Sequence, residues 1–281
     1  MTEIHQLQLD SLINKTLEEE DQHRNWSADI CHLNQENIQL HIHAKNTVLI
    51  SGIEVVESVF KKIDPTIFVD MHKRNGVLVQ PHEIILSISG ATKTIVKAYD
   101  LALNFFSRMC GLSTLTARFV DKLSATHATL FNTRSFTPGL KLLEKSAIAV
   151  GGAHNHKLFF KQGVLITQQH IEIAGSLNNL MNQLIETLPA TIKIEVEINR
   201  LEDLHEAIDA GANLVILKNM NLATIKMAVQ TVQKKVLLEA SSDYDLDTAQ
   251  EVAKTGVDFI STSYLIQAAP RAELYSTIRK I

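Results

Sequence analysis

Two spacings of apolar residues predict alternating helices and strands in the first 123 residues. Leu7, Leu9, Leu12, Ile13 and Leu17 recur at near-helical spacing and precede an acidic run at 18–21, which is typical of an amphipathic helix. The same criteria predict a strand at 38–44, a helix at 53–63, strand-like alternation at 77–88 that breaks at Pro81, and a helix at 93–123 that we expect to link two domains.

From residue 128 onward, short apolar runs alternate with helical segments. Fully apolar short strands joined by helices are typical of parallel βα units. Gly211 and Gly256 stand where a helix is expected to end before the next strand begins. Six such strands favour an incomplete α/β barrel over an open sheet, and we place them at 129–131, 164–166, 192–196, 214–217, 236–238 and 259–260.

The chemistry of α/β barrels lies on the loops that follow the carboxyl ends of the strands. These loops are therefore where we expect a functional site. In this chain they comprise 132–141, 167–170, Glu197, 218–219, 239–243 and 261–263.

Composition excludes several classes of protein. With 281 residues, 45% hydrophobic and 21% charged, the chain is globular and long enough for about two domains. A net charge of −4 offers no basic field for nucleic acid, so we expect no nucleic-acid partner.

No apolar run is long enough to span a membrane, and the first 21 residues do not resemble a signal peptide. Cys31 and Cys110 form no disulfide pattern, and we expect a reduced thiol state in the cytoplasm.

Read in order, several motifs resemble the quinolinate phosphoribosyltransferase family, also called nicotinate-nucleotide pyrophosphorylase (carboxylating). The resemblance runs nearly end to end. Phe136, 152–154 and 262–263 are closer to the ModD proteins, a sister branch associated with molybdate transport. The motifs are Ala102-Leu103-Asn104-Phe105, 111–116, Thr133-Arg134 with Thr137-Pro138-Gly139-Leu140, 143–145, 151–156, 195–197, 219–220, 238–241 and 256–261.

The resemblance implies an architecture and a reaction. The fold would be an N-terminal α/β sandwich domain at 1–112 and an open α/β barrel at 113–265, with the segment 266–281 packing back on the N-terminal domain. The protein would be a homodimer whose active site borrows residues from the neighbouring subunit. Family members join quinolinate to phosphoribosyl pyrophosphate in NAD biosynthesis, with Mg2+ on the pyrophosphate, and release pyrophosphate and CO2 to give nicotinate mononucleotide.

The resemblance also assigns roles to individual residues, since both substrates are polyanions that Arg and Lys bind well. Arg134, His156 and Lys157 would hold the pyridine dicarboxylate, with Ser135 and Thr167 at two further substrate-binding positions. Glu197 and Lys218 would occupy the catalytic positions, with Glu197 near the ribosyl cation. Phosphate would be bound by Ser241, Ser242 and Ser261, and no protein metal site is expected.

Several of these positions differ from the family pattern. Asp100, Ser135 and Thr167 stand where the family has basic residues, Lys218 replaces a carboxylate, and Ser242-Asp243 replaces the glycine pair of the phosphate loop. At about 4 Å and an effective dielectric of about 20, a reversed contact with an anion changes its energy by about 4 kcal/mol before screening. We therefore expect weak, altered or lost activity on the family substrates.

Alternatives remain open at the level of residues and of function. Lys218 is either a counter-ion for Glu197 or Glu239 or a new anion-binding lysine. His154 and His156 invite a metal interpretation, but without a third ligand a hydrogen-bonding role is the better hypothesis. The chain is then a phosphoribosyltransferase with substituted positions, a pseudoenzyme homodimer that binds a small anion or a protein partner, or a ModD-like transferase that uses another acceptor.

Overall fold

The computed structural model describes residues 6–21, 37–156, 163–189 and 191–281. The chain divides into two compact units. The first, which we call the sheet unit, comprises Met1–Ala117, Phe136–Gly152 and Ala268–Ile281. The second, the barrel unit, comprises Arg118–Ser135 and Ala153–Gln267.

The sheet unit is built on a four-stranded antiparallel sheet. Its strand order is β13-β1-β5-β3, so the last strand of the chain pairs with the first. Leu40 lies opposite Ile278 on one side and Ile88 on the other. The strands are β1 (Asn37–Ala44), β2 (Val48–Leu49), β3 (Phe68–Met71), β4 (Leu78–Val79), β5 (Ile84–Ala91) and β13 (Leu274–Lys280). The helices are α1 (Gln6–Asp21), α2 (Ile53–Ile63), α3 (Thr92–Leu123, its last residues in the barrel unit) and α4 (Lys141–Val150).

Alternating polarity explains why β1 has one buried face. Ile38, Leu40 and Ile42 are buried, whereas His41 and His43 between them are partly exposed. Burying one face of an antiparallel strand and leaving the other hydrated fixes its register.

The C-terminal segment crosses α3 at a glycine. A Cβ atom at Gly111 would lie 1.8 Å from the carbonyl oxygen of Pro270, so no larger residue fits there without a shift of backbone. The Ala272 amide donates to the Ser107 carbonyl beside this crossing. The neighbouring Cys110 is a free thiol, as predicted, but it is fully rather than partly buried, and this burial raises its pKa to about 12. Cys31 lies outside the described residues.

The barrel unit is a curled sheet of seven parallel strands in the order β7-β6-β12-β11-β10-β9-β8. The strands are β6 (Thr129–Asn132), β7 (His154–Asn155), β8 (Val164–Ile166), β9 (Ile194–Ile198), β10 (Leu214–Lys218), β11 (Leu237–Ser242) and β12 (Phe259–Thr262). The helices are α5 (Gln168–Ala174), α6 (Leu177–Thr187), α7 (Leu204–Asp209), α8 (Leu222–Val232), α9 (Leu246–Ala253) and α10 (Tyr264–Ala268), with a 3-10 turn at Leu201–Asp203 before α7.

The strands of the barrel unit present two different faces. One carries Val196, Leu217, Leu238, Ala240 and Ile260, which are all buried, as expected for a parallel sheet covered by helices. The opposite face is polar towards the carboxyl ends of the strands. We call it the polar face, and it includes Glu197, Lys218, Glu239, Ser241 and Ser261.

The predicted fold class, an α/β sandwich with an open barrel, is confirmed. Gly211 and Gly256 have φ of 92° and 97° and follow α7 and α9, as predicted for helix ends. The prediction missed the two-residue strand β7 and placed β9 two residues too early. Among the described residues, no helix is long and apolar enough to cross a membrane.

Candidate functional site

Two rows of side chains cross the polar face. The register pairs Lys218 with Ser241, Ser241 with Ser261, Ser261 with Phe131, and Phe131 with His154. We call these five residues the upper row, because they lie at the carboxyl ends of the strands, where barrel chemistry is found. The lower row, two residues earlier on each paired strand, contains Glu197, Ile216, Glu239, Phe259 and Thr129.

A buried imidazole–carboxylate pair links the lower row to the residue that follows β7. His156 Nε2 donates to Glu239 Oε2 at 2.9 Å and lies 3.1 Å from Oε1. The two residues are only 9% and 2% exposed. A carboxylate in that position costs several kcal/mol unless it is paired and hydrogen-bonded, so His156 and Glu239 stabilise each other.

Lys218 lies at the end of β10 and contacts a hydroxyl group. Its Nζ donates to Ser241 Oγ at 3.4 Å. Glu239 is engaged by His156 on the same face. The lysine therefore adds a positive charge beside the buried hydroxyls of Ser241 and Ser261, which is a combination that suits a phosphate or carboxylate.

The loops after β10 and β11 are tied together next to this row. Ser242 Oγ donates to Asn219 Oδ1 at 3.0 Å, and the Asn219 amide donates to the Ser241 carbonyl at 2.9 Å. Asn219 adopts a left-handed φ of 52°, which asparagine tolerates better than most residues. The Ser242 hydroxyl thus helps to position this loop, and its phosphate-binding role stays a prediction.

The loop after β11 also contacts the loop after β12. The Ser263 hydroxyl donates to the Asp243 carboxylate, and Thr262 Oγ1 donates to the Tyr244 carbonyl at 2.8 Å. The Tyr244 side chain is buried, and this burial raises its pKa to about 12. These contacts fix the loops around Ser241 and Ser261.

The remaining predicted substrate residues lie in three different settings. Arg134 and Ser135 are exposed in the loop after β6, where the Ser135 amide donates to Thr133 Oγ1. Thr167 precedes α5, and both its amide and its Oγ1 lie 3.1 Å from His170 Nδ1. The hydroxyl of Thr167 is thus used locally at the helix start. Lys157 lies outside the described residues.

A second buried charge cluster lies on α4 in the sheet unit. Glu144 is 1% exposed and accepts hydrogen bonds from Arg108 Nη2 at 2.7 Å and from the amide of Thr137 at 2.8 Å. The adjacent Lys145 is also buried, and this burial, with a smaller contribution from Lys141, lowers its pKa to about 8. Glu144 therefore anchors the turn that begins at Thr137.

The described residues do not fit a resident metal ion. No group of three or more His, Cys, Asp or Glu side chains among them is arranged to hold one. Mg2+ prefers carboxylate oxygens, but Glu239 is engaged by His156 and the upper row carries a lysine. A Mg2+ ion at this site would have to arrive on its phosphate ligand.

Sequence reasoning missed two residues of the polar face. The sequence suggests Glu239 only as a partner of Lys218, whereas the structure pairs it with His156. Its position two residues before Ser241 on one strand was the available signal, since such residues share a face. Phe131 was counted only as part of an apolar strand.

Comparisons with known proteins cover the whole described chain. A sequence model for "Quinolinate phosphoribosyl transferase, C-terminal domain" matches residues 112–275, and the corresponding N-terminal domain model matches residues 26–110. The probable nicotinate-nucleotide pyrophosphorylase [carboxylating] of Synechocystis sp. is 30% identical over 269 residues, which cover 95% of this chain and 91% of the relative. The protein of the same name from Bacillus subtilis is 27% identical over 240 residues, or 85% and 83% of the two chains.

Solved structures give the same result for the fold. NadC from Streptococcus pyogenes superposes with a TM-score of 0.92 at 24% identity over 100% of both chains. The nicotinate-nucleotide pyrophosphorylase from Francisella tularensis gives a TM-score of 0.92 at 25% identity, with 99% and 98% of the two chains covered. Domain models spanning both parts of the chain and relatives of matching length leave one conclusion. The chain belongs to the quinolinate phosphoribosyl transferase family.

Proposed function

We propose that this chain is a phosphoribosyltransferase of NAD biosynthesis whose turnover of quinolinate and phosphoribosyl pyrophosphate is orders of magnitude below that of an ordinary enzyme. The observation that carries the proposal is the upper row. It places a lysine and two buried serine residues side by side in a member of this family, on the same face as the His156–Glu239 pair.

The reaction to be served joins two anions. The ring nitrogen of quinolinate attacks C1 of the ribosyl group, the C1–O bond to pyrophosphate breaks, and the neighbouring carboxyl group leaves as CO2 while a proton replaces it on the ring carbon. Bound Mg2+ would neutralise charge on the leaving pyrophosphate. The protein's share is to hold the anions and to stabilise positive charge at C1.

Residues of the polar face match these tasks. Ser241, Ser261 and Lys218 can donate hydrogen bonds to a phosphate or carboxylate, and Arg134 on the loop after β6 supplies a second cation. Glu197 is the half-buried carboxylate of the lower row and is the residue we assign to stabilising the ribosyl cation. Its carboxylate needs no proton transfer for that role.

Charge explains why the rate should be low. The polar face holds the carboxylates of Glu197 and Glu239. Its upper and lower rows contain one lysine, Lys218, to balance them. Ser135 and Thr167 carry no charge, and Thr167 is engaged by His170. Because each 1.4 kcal/mol of lost transition-state stabilisation lowers the rate about tenfold, even a few weakened contacts cost orders of magnitude.

One observation favours a second candidate function, which is binding of a small anion without catalysis. The carboxylates of Glu197 and Glu239 on the polar face oppose a polyanion such as phosphoribosyl pyrophosphate more strongly than a single carboxylate group, since repulsion scales with charge. Measurable binding of a pyridine carboxylate, with no turnover in the presence of Mg2+, would favour this candidate.

The proposal includes a homodimer in the cytoplasm and the domain division at 112/113 and 265/266. The family models, which match residues 26–110 and 112–275, support a boundary near residue 112, and the assignment of Ala268–Ile281 to the sheet unit supports one near residue 266. We infer the homodimer and its location from the resemblance to the family. Sedimentation equilibrium tests the dimer directly.

Restoring the family charges tests the proposed function. We expect the combined variant Ser135→Lys with Thr167→Lys, which adds two positive charges and keeps Lys218, to raise turnover of quinolinate at least tenfold. The control is Thr167→Val with wild-type residues elsewhere, which removes the hydroxyl contact with His170 without adding charge. Unchanged turnover in a folded combined variant would contradict the charge argument.

A further inference from the structure

We infer that Phe131, together with His154, forms an aromatic wall of the acceptor site and selects a flat aromatic ring over a saturated ring of equal charge. This inference rests on the proposed function and names two specificity-determining residues for it. Both residues belong to the upper row.

The strand register places Phe131 among the polar groups. It lies opposite Ser261 on one side and His154 on the other. Its strand neighbours Leu130 and Asn132 are buried, with 3% and 0% of their surface exposed. Since successive side chains of a strand point to opposite faces, Phe131 belongs to the polar face.

Ring contacts surround Phe131 on several sides. Its centroid lies 4.8 Å from that of Phe259, with the two rings nearly perpendicular, and 5.3 Å from the ring of His156. The His154 ring lies 5.7 Å away and is tilted by 42°. Edge-to-face and offset contacts in this range are attractive. The four rings therefore form one aromatic cluster beside the buried Glu239.

Exposure distinguishes this cluster from an ordinary core. Phe131 is half-buried and His154 is exposed, although His156 at the other end of the cluster is buried. Aromatic surface is thus accessible beside the hydroxyl-bearing Ser261, which lies directly opposite Phe131, with Ser241 on the next strand of the same row. A ligand that satisfies both features is a planar ring carrying carboxylates, with its π face or edge against Phe131 and its carboxylates on the polar groups.

Two ligands with equal charge test the inference. Phthalate carries two adjacent carboxylates on a flat benzene ring, and cis-cyclohexane-1,2-dicarboxylate carries them on a puckered saturated ring. We expect the wild-type protein to bind phthalate about tenfold more tightly in calorimetric titrations, which is the range of an aromatic contact in a binding site.

Variants separate stacking from packing. Phe131→Leu should weaken phthalate binding about five- to tenfold and leave the affinity for the saturated diacid unchanged. His154→Ala should also weaken phthalate binding. Because His154 is exposed, this second substitution does not threaten the fold. The matched control is Phe68→Leu, because Phe68 is 64% exposed on β3 of the sheet unit. It should change neither affinity.

The possible outcomes separate this inference from the proposed function. Equal binding of both diacids by wild-type protein would overturn the aromatic wall and leave the proposed function standing. Tighter binding of both diacids by Phe131→Leu would also overturn it, because the phenyl ring would then merely fill the site. If wild-type protein bound neither diacid, the proposed acceptor class and the inference would fail together.

Discussion

His156 Nε2 lies 2.9 Å from Glu239 Oε2, and Glu239 is only 2% exposed. The pair joins the segment after β7 to the central strand β11 across two intervening strands. Removing one member leaves the other buried without its counterpart. That is more costly than removing both, because an unpaired buried charge keeps its full desolvation penalty.

A double-mutant cycle measures this coupling. We expect His156→Gln and Glu239→Gln each to lower the free energy of unfolding by about 3 kcal/mol, and the double variant to lose at least about 1 kcal/mol less than the sum of the two. Urea unfolding followed by circular dichroism gives the three values. Additivity within about 0.5 kcal/mol would mean that the two side chains do not stabilise each other.

The Glu144–Arg108 pair of the sheet unit should stabilise the fold far more than an exposed ion pair. Glu144→Gln removes the charge from a carboxylate that accepts hydrogen bonds from Arg108 and Thr137, and we expect a loss of about 3 kcal/mol in the free energy of unfolding. The control is Glu251→Gln, whose partner Lys254 is 54% exposed, with an expected loss of about 0.5 kcal/mol or less. Equal losses of unfolding free energy in the two variants would contradict the claim that burial makes the Glu144–Arg108 pair the more stabilising one.

Stability should fall in mild acid because of His41. Burial, followed by the charges of His43, His72 and Arg279, lowers the pKa of His41 below its ordinary value of 6.5. The unfolded chain therefore binds a proton more readily than the folded chain. The contribution of His41 is complete above pH 6.5 and is lost as the pH falls from there towards the folded-state pKa.

Thermal unfolding between pH 7.5 and pH 5 measures this effect. His41→Gln should unfold with a smaller loss of stability over this range than the wild type, since glutamine does not titrate. His205→Gln is a suitable control, because His205 is exposed on α7 in the barrel unit. A wild-type pH profile that His41→Gln leaves unchanged would exclude His41 as the cause.

Periodicity predicted those parts of the fold whose residues carry a local signal. The strand β1 shows strict alternation, and α2 was predicted at 53–63, which are its observed bounds. The strand β7 carried no such signal, because its two residues, His154 and Asn155, are both polar. Its pairing with β6 depends on the curled sheet as a whole.

The candidate site was predictable to a similar extent. Ser241 and Ser261 follow apolar runs, so their place at the carboxyl ends of strands could be expected from the sequence. The partner of His156 could not, because Glu239 lies 83 residues away and the strand order decides which carboxylate comes near. The contact between Thr167 and His170 was equally hidden, since it depends on where α5 begins.

The proposed function requires that the site of this family member be too poor in positive charge for rapid phosphoribosyl transfer. The most direct test is to incubate the purified protein with quinolinate, phosphoribosyl pyrophosphate and Mg2+ and to measure nicotinate mononucleotide by chromatography. We predict turnover at least about a hundredfold below the typical enzyme value of about 10 per second. Turnover near that value would contradict the claim and would mean that other residues supply the missing charge.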